Sequence, residues 1–183
     1  MTCRWCRNFF VARADARFCS VACRVAAHRA MPPAEMINAN RWLRHEAKRP
    51  ITVAGASGSS TNSATWSDWV SAQDSTAGDG LGFALGDGFS CIDLDHCFEN
   101  GELASWAVPI VAAARGTFME ISISGNGLHI FGTGFFGRGR RIGNVEVYSE
   151  GRFMTVSLRR FRRSPLRLLD LSPAVAVALA GAE

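Results

Sequence analysis

Apolar and polar residues alternate in several short runs of this chain, and that alternation predicts β-strands. Leu81, Phe83 and Leu85 recur at every second position of "GLGFALGDG". The Gly-Asp-Gly at its end predicts a turn, and "FSCIDLDHC" predicts a second strand whose Ile92 and Leu94 face a core. Ile121, Ile123, Leu128 and Ile130 read as the buried face of another β-segment, interrupted by Ser124, Gly125, Asn126 and Gly127. "NVEVYSEGRFMTVS" predicts a strand or hairpin with Val145, Val147 and Phe153 apolar and a tight turn at "SEG". Helical spacing is found nearer the ends. "CSVACRVAAHRA" is alanine-rich, and "SPLRLLDLSPAVAVALAGAE" predicts one or two helices. Prolines in "MPPAEM" stop the first helix, since proline lacks the N–H a helix interior needs. A short helix or strand follows in "NANRWLRHEAKRP". Trp66 and Trp69, three apart, suit a helix core better than a base-stacking platform.

The chain has 183 residues, 48% of them hydrophobic, enough for one domain with a core and a small appendage. Its longest apolar run, "AVAVALAGA", is too short to span a bilayer. The opening "MTCRWCRNFF" lacks the apolar stretch of a secretory signal. No membrane association and a cytoplasmic location are expected.

Charge divides the chain in three. Residues 1–50 hold ten Lys/Arg and three acids, net +7. Residues 51–137 hold one Arg and nine acids, net −8, and residues 138–183 hold nine Arg and four acids, net +5. Basic flanks of this kind suit a polyanion partner. An acidic centre between them suits bound metal cations.

Cys3, Cys6, Cys19 and Cys23 are spaced C-x2-C-x12-C-x3-C. Two close pairs a dozen residues apart suit one tetrahedral Zn²⁺, and a reducing cytosol argues against disulfides. The second pair begins the alanine-rich helix, one turn apart. His28 is a competing ligand, although four thiolates already close the shell. Cys91 and Cys97 read as buried free thiols. The segment is similar to a small zinc-ribbon or treble-clef-like knuckle.

Asp93 and Asp95 share one face of their strand, because side chains repeat every second residue. Adjacent carboxylates raise each other's pKa, and a divalent metal relieves the repulsion. Glu146 can face the same side. The glycines at 125 and 127 bend the chain, and consecutive loop N–H groups can cradle an anion.

The order "KRP", "SATWSDW", "GLGFALGDGFSCIDLDHC", "EISISGNGLHIFGTG", "NVEVYSEGRFMTVS" resembles the primase-polymerase domain of the archaeo-eukaryotic primase superfamily, nearest its phage and mobile-element branch. The resemblance covers roughly residues 41–160. It implies an α+β fold, with an RRM-like catalytic core sheet joined to a smaller α/β module, here preceded by the zinc knuckle. It implies the boundaries 1–30 for the knuckle, 31–40 for a linker, 41–165 for the catalytic core and 166–183 for a helical tail. Asp93 and Asp95 match the family's metal-binding pair, and Glu146 its third acidic position. Ser124 and His129, with Gly125 and Gly127 between them, match the serine–histidine motif that contacts the incoming nucleotide. Lys48 and Arg152 match basic positions near that nucleotide.

The implied function is primer synthesis or DNA extension by two-metal nucleotidyl transfer, using Mg²⁺ or Mn²⁺. The implied partners are a single-stranded DNA template, nucleoside triphosphates and a replicative helicase or other replication protein. The chain departs from the family after R-F-x-T, reading "VSLRRFRRSP" where T-G is usual. With so little sequence beyond, template grip is expected from the knuckle, from "RRFRRSPLR" or from a partner; "GRGRR" at 137–141 is another phosphate candidate. Glu120 competes with Glu146 as third ligand. Two other functions stay open on the residues alone. One is a non-catalytic nucleic-acid-binding module that keeps the primase fold. The other is a template-independent nucleotide-binding or hydrolysing enzyme.

Overall fold

The computed structural model describes residues 1–3, 5–6, 8–13 and 15–180, with His28 by its backbone alone. The His28 side chain and the last three residues of the expected tail therefore lie outside the described residues. The chain divides into two units, Met1–Met31 and Pro32–Glu183.

In the first unit a bridge pairs Thr2 with Phe9, and one helix, α1, spans Val21–Arg29. Ser20 caps α1 by accepting from the Cys23 N–H at 3.1 Å, which satisfies one of the helix's orphan donors. The helix therefore starts after Cys19, where the sequence pattern had put both cysteines of the second pair inside it.

Helices α2 (Ala34–Ile37), α3 (Trp69–Asp74), α4 (Val108–Ala113) and α5 (Ser172–Ala180) belong to the second unit. So do strands β1 (Trp42–Glu46), β2 (Arg49–Ile51), β3 (Gly80–Ala84), β4 (Phe89–Leu94), β5 (Phe98–Glu99) and β6 (Glu102–Leu103). Strands β7 (Met119–Ile121), β8 (Leu128–Thr133), β9 (Arg140–Ile142), β10 (Val145–Tyr148) and β11 (Phe153–Val156) complete the set. The fold is α+β. Residues 31–40, expected as a linker, contain α2. Met36 on α2 is fully buried, and its carbonyl accepts from Trp42 Nε1 at 2.8 Å. An apolar side chain with a buried site to fill joins the domain instead of leaving a solvated connection.

Two antiparallel sheets build this unit. The smaller has the order β11-β3-β1-β2 and the larger β7-β8-β4-β10-β9; β5 and β6 form a separate hairpin. In the smaller sheet Trp42 meets the rings of Trp69 and Phe83 edge-on at 4.7 and 5.0 Å. Trp69 is thus core, as its helical spacing suggested. Trp66 is half-buried before α3, donates from Nε1 to the Ser59 carbonyl and lies under the Arg41 guanidinium.

The larger sheet carries the main core. Ile92, Leu94, Leu128, Ile130, Val145 and Val147 pack with Ile110 of α4 and Val175 of α5 on one face. The period of two then sends Asp93, His129 and Glu146 to the other face. The chain passes between the sheets twice near that second face, from β3 to β4 and from β10 to β11. The second crossing carries Arg152.

Candidate active site

A single row of polar side chains runs across the larger sheet. Strand register pairs Glu120 of β7 with His129 of β8, His129 with Asp93 of β4, Asp93 with Glu146 of β10, and Glu146 with Arg141 of β9. Glu120, His129, Asp93 and Glu146 are each flanked along their own strands by apolar side chains. The row is therefore locked: slipping any strand by one position would send its apolar neighbours to the polar face.

Glu120 is fully buried. Its carboxylate accepts from the N–H groups of Ser157 and Leu158, the latter at 2.7 Å, and faces His129 Nδ1 at 3.0 Å. A fully buried carboxylate whose donors include fixed backbone N–H groups, which unlike half-exposed side chains cannot turn away, is satisfied and has little left for a metal. Glu120 therefore holds His129, contrary to its reading as an alternative third ligand. Burial disfavours the His129 imidazolium, but the Glu120 hydrogen bond and the charges of Asp93, Glu120 and Asp95 outweigh it and raise the histidine's pKa. With Nδ1 committed, Nε2 is the nitrogen turned toward Asp93, 3.7 Å from Oδ1.

That Asp93 oxygen is buried and has no hydrogen-bond partner among the described residues; 3.7 Å is beyond hydrogen-bond reach. Burial, then Asp95 and Glu146, push the Asp93 carboxyl up, against the opposing charges of His129 and Lys48. A divalent cation, which takes oxygen ligands, would relieve the repulsion between this oxygen, which has no hydrogen bond, and the two carboxylates beside it, although among the described residues only the four cysteines already converge as a ligand set. Asp95 lies just past the end of β4, where its N–H donates to the Asn144 carbonyl at 2.8 Å.

Glu146 is held by three groups. Tyr148 donates to it at 2.6 Å, and the guanidinium groups of Arg141 and Arg152 lie at 3.1 and 3.7 Å. Arg152 also stacks over the Tyr148 ring, 4.5 Å from its centroid. Tyr148 shares the face of Glu146 as the strand period predicts, whereas Arg141 was not singled out for this position from sequence, because its contact depends on the β9–β10 register. Burial and the Glu146 hydrogen bond push the Tyr148 hydroxyl up to about 12, so it remains a donor.

These groups line a cleft of about 460 Å³. Asp93, Asp95, Glu146 and His129 of the larger sheet and its edges line it, with Lys48 from the β1–β2 turn, Arg152 from the crossing between the sheets and Thr155 of β11. Lys48 sits at the tip of the two-residue β1–β2 turn. Ala47 and Lys48 there have φ of 46° and 65°, the pair of left-handed residues a type I′ turn requires. Glycine or asparagine would adopt it at less cost, and a lysine in that conformation at a cleft points to function.

The serine–glycine loop departs from expectation in two ways. Ile123 is half-buried and lines the cleft instead of the core. The N–H groups of Gly125, Asn126 and Gly127 are all used inside the turn, donating to the Ser122 carbonyl, Ser124 Oγ and Ser122 Oγ. Gly125 and Gly127 thus shape the turn and do not line the cleft. At Gly127 a Cβ would come within 2.9 Å of the Leu94 carbonyl oxygen and 3.0 Å of Ser122 Oγ, so glycine is needed for close approach. Ser122 and Ser124, whose hydroxyls lie 2.9 Å apart, are the loop's contribution to the cleft.

In the first unit the sulfurs of Cys3, Cys6, Cys19 and Cys23 lie within 4.8 Å of one another. Cys19 Sγ is 3.5 Å from both Cys6 and Cys23, and the Cys19 N–H donates to Cys3 Sγ. Crowding by Cys23, Cys6 and Cys3 pushes the Cys19 thiol up to about 12. Four sulfurs so close resist shared ionisation without a cation at their centre, and with one they form a tetrahedral ligand set. Cys91 and Cys97 are buried free thiols.

No family model matches the chain. It is 33% identical, over 133 aligned residues, to a DNA primase-polymerase of Nitratiruptor phage NrS-1, a match covering 64% of this chain. The chain spans 18% of the length of that phage protein. The order of motifs in the sequence and the identity with the phage protein agree: over 64% of its length this chain is similar to a DNA primase-polymerase.

Proposed function

We propose that the cleft performs template-directed nucleotidyl transfer, making primers or extending DNA in the replication of a phage or mobile element. The observation that carries this reading is the unpaired buried oxygen of Asp93, set between Asp95 and Glu146 and opposite Lys48 and Arg152. Acids and bases lining one cleft suit a metal–triphosphate, which presents cations to the first and phosphate oxygens to the second.

Asp93, Asp95 and Glu146 would hold the divalent ions, Mg²⁺ or Mn²⁺. When bound, such ions activate the attacking 3′-hydroxyl and neutralise charge on the pyrophosphate. The chain's own groups do the rest. Glu120 fixes the His129 ring at Nδ1 and so turns Nε2 toward the cleft, where a protonated Nε2 donates to a phosphate oxygen without having to act as a base. Ser124 adds a hydroxyl donor. Lys48 and Arg152 offset the remaining phosphate charge. Arg152 is half-exposed and 3.7 Å from Glu146, so it can leave that carboxylate for a phosphate when a metal arrives. The four cysteines hold one structural Zn²⁺. The partners are single-stranded DNA, nucleoside triphosphates and a replicative helicase or other replication protein.

Purified protein with Mn²⁺ or Mg²⁺, nucleotides and single-stranded DNA should yield primers or extended strands. Product formed equally well when the DNA is left out would favour a template-independent enzyme, and no product with a bound template would favour a non-catalytic module.

A further inference from the structure

A second cavity, of about 290 Å³, opens on the helix-covered face of the larger sheet. Its lining is Phe135, Phe136, Arg140, Val147, Val175 and Leu179. Arg140 and Arg141 are neighbours on β9 and point to opposite faces. Arg141 reaches Glu146 in the catalytic row, whereas Arg140 lines this cavity. The edge strand β9 therefore separates the two recesses. It lies two strands from β4, about 10 Å at ordinary strand spacing.

The β8–β9 loop is built to present an aromatic ring. Phe135 is 71% exposed, yet the backbone around it is fixed. Buried Ser149 accepts from the Phe136 N–H at 3.0 Å and donates to the Gly137 carbonyl at 3.2 Å. Gly139 lies against the Tyr148 ring, where a Cβ would meet it at 2.5 Å. Arg138 is exposed in the same loop, and neither it nor Arg140 pairs with a carboxylate among the described residues. The result is an apolar recess wide enough for one nucleobase, an aromatic ring at its mouth and two unpaired guanidinium groups beside it.

We propose that this recess and loop bind single-stranded DNA, with one base stacked on Phe135 over the apolar floor and the adjoining phosphates on Arg138 and Arg140. Aromatic faces accept any base, and arginines track the backbone. An acidic protein segment would use the arginines equally well but would not need a flat ring. The strand then crosses the β9 edge toward the acidic row on the other face of the sheet. The inference rests on the proposed nucleotidyl transfer for its strand, and it names the residues that grip that strand.

The test is fluorescence anisotropy of a labelled oligo-dT of about twenty nucleotides, with no metal or nucleotide present, alongside the primer-synthesis assay. Phe135→Ala should weaken binding about tenfold without changing its salt dependence, while Phe135→Trp should retain parent affinity. Arg140→Ala should lower the salt slope of binding by about 0.7. Phe135 is largely exposed, so the fold should be unaffected, which circular dichroism checks. Unchanged affinity in Phe135→Ala, with synthesis by the parent protein intact, overturns this site and leaves the proposed function standing. A tenfold loss in a protein that makes no product sustains the site and removes the catalytic reading.

Discussion

The acidic row and the cysteine cluster are both suited to cations, and the chain prepares them in opposite ways. Asp93, His129 and Glu146 stand on three adjacent strands of one sheet, and the apolar residues between them fill the core. That site exists because the sheet folds. Around the cysteines the described residues supply one short helix, a single bridge and a few hydrogen bonds, with Val11, Val21 and Phe9 exposed. A metal bound there would supply what a core does not, as in small metal-stabilised domains. The difference teaches that removing metal should switch off one site without deforming it and should dismantle the other.

The largest effect expected from this contrast is at Asp93. Asp93→Ala should lose nucleotidyl transfer by orders of magnitude while its circular dichroism spectrum and cooperative melting persist. A variant that fails to fold would place Asp93 among the structural residues and erase the contrast.

At the cysteines the expected outcome is the reverse. Purified protein should contain about one equivalent of zinc. Cys19→Ser should lose most of it, and amide protection should vanish in residues 1–31 while the β4, β8 and β10 amides stay protected. Full zinc retention by Cys19→Ser would refute the ligand assignment.

His129→Ala removes a charge-assisted donor, worth about 1.5–3 kcal/mol, so nucleotide affinity should fall roughly 10–100-fold. Affinity for single-stranded DNA should barely change, because the basic residues that carry it remain. Titrating both ligands against both proteins measures the split. Equal nucleotide affinity in the two would return the serine–glycine loop to a plain turn.

The smallest effect sharpens the idea of a preformed acidic site. The Asp93 carboxyl is raised by burial, Asp95 and Glu146. A carboxyl whose folded pKa exceeds its unfolded value costs stability once the pH lies above the unfolded value, and costs nothing below it. In chelator at neutral pH, Asp93→Asn should therefore melt higher than the parent, by about 2–4 °C for each kcal/mol relieved. The gain should disappear when both are melted below the carboxylate range. Added Mn²⁺ should reverse the order, raising only the parent.

Much of this was legible along the chain because it is local. The alternation around Ile92 and Leu94 gives the face of Asp93, and cysteine spacing alone suggests the cluster. What was not legible depends on which strands become neighbours. Glu120 looks like a spare metal ligand until β7 pairs with β8 and the Ser157 and Leu158 N–H groups close over it. Arg141 looks like part of a basic loop until β9 lies beside Glu146. Ile123 was assigned to the core by extending the strand period across the serine–glycine segment. The strand ends at Ile121, the period lapses, and the side chain turns to the cleft. The linker expected at 31–40 failed for a related reason: a proline-rich stretch says where a helix stops, not that Met36 has a buried site waiting.

The central claim is that the acidic row joins nucleotides under direction of a template, and one measurement addresses it directly. Protein is incubated with Mn²⁺, all four nucleotides in turn and short single-stranded DNA templates that differ at one base, and the incorporated nucleotide is read by mass. The account expects the incorporated base to follow the template base in the parent protein and expects no incorporation by Asp93→Ala. Incorporation that ignores the template base, or that persists in Asp93→Ala, would contradict it.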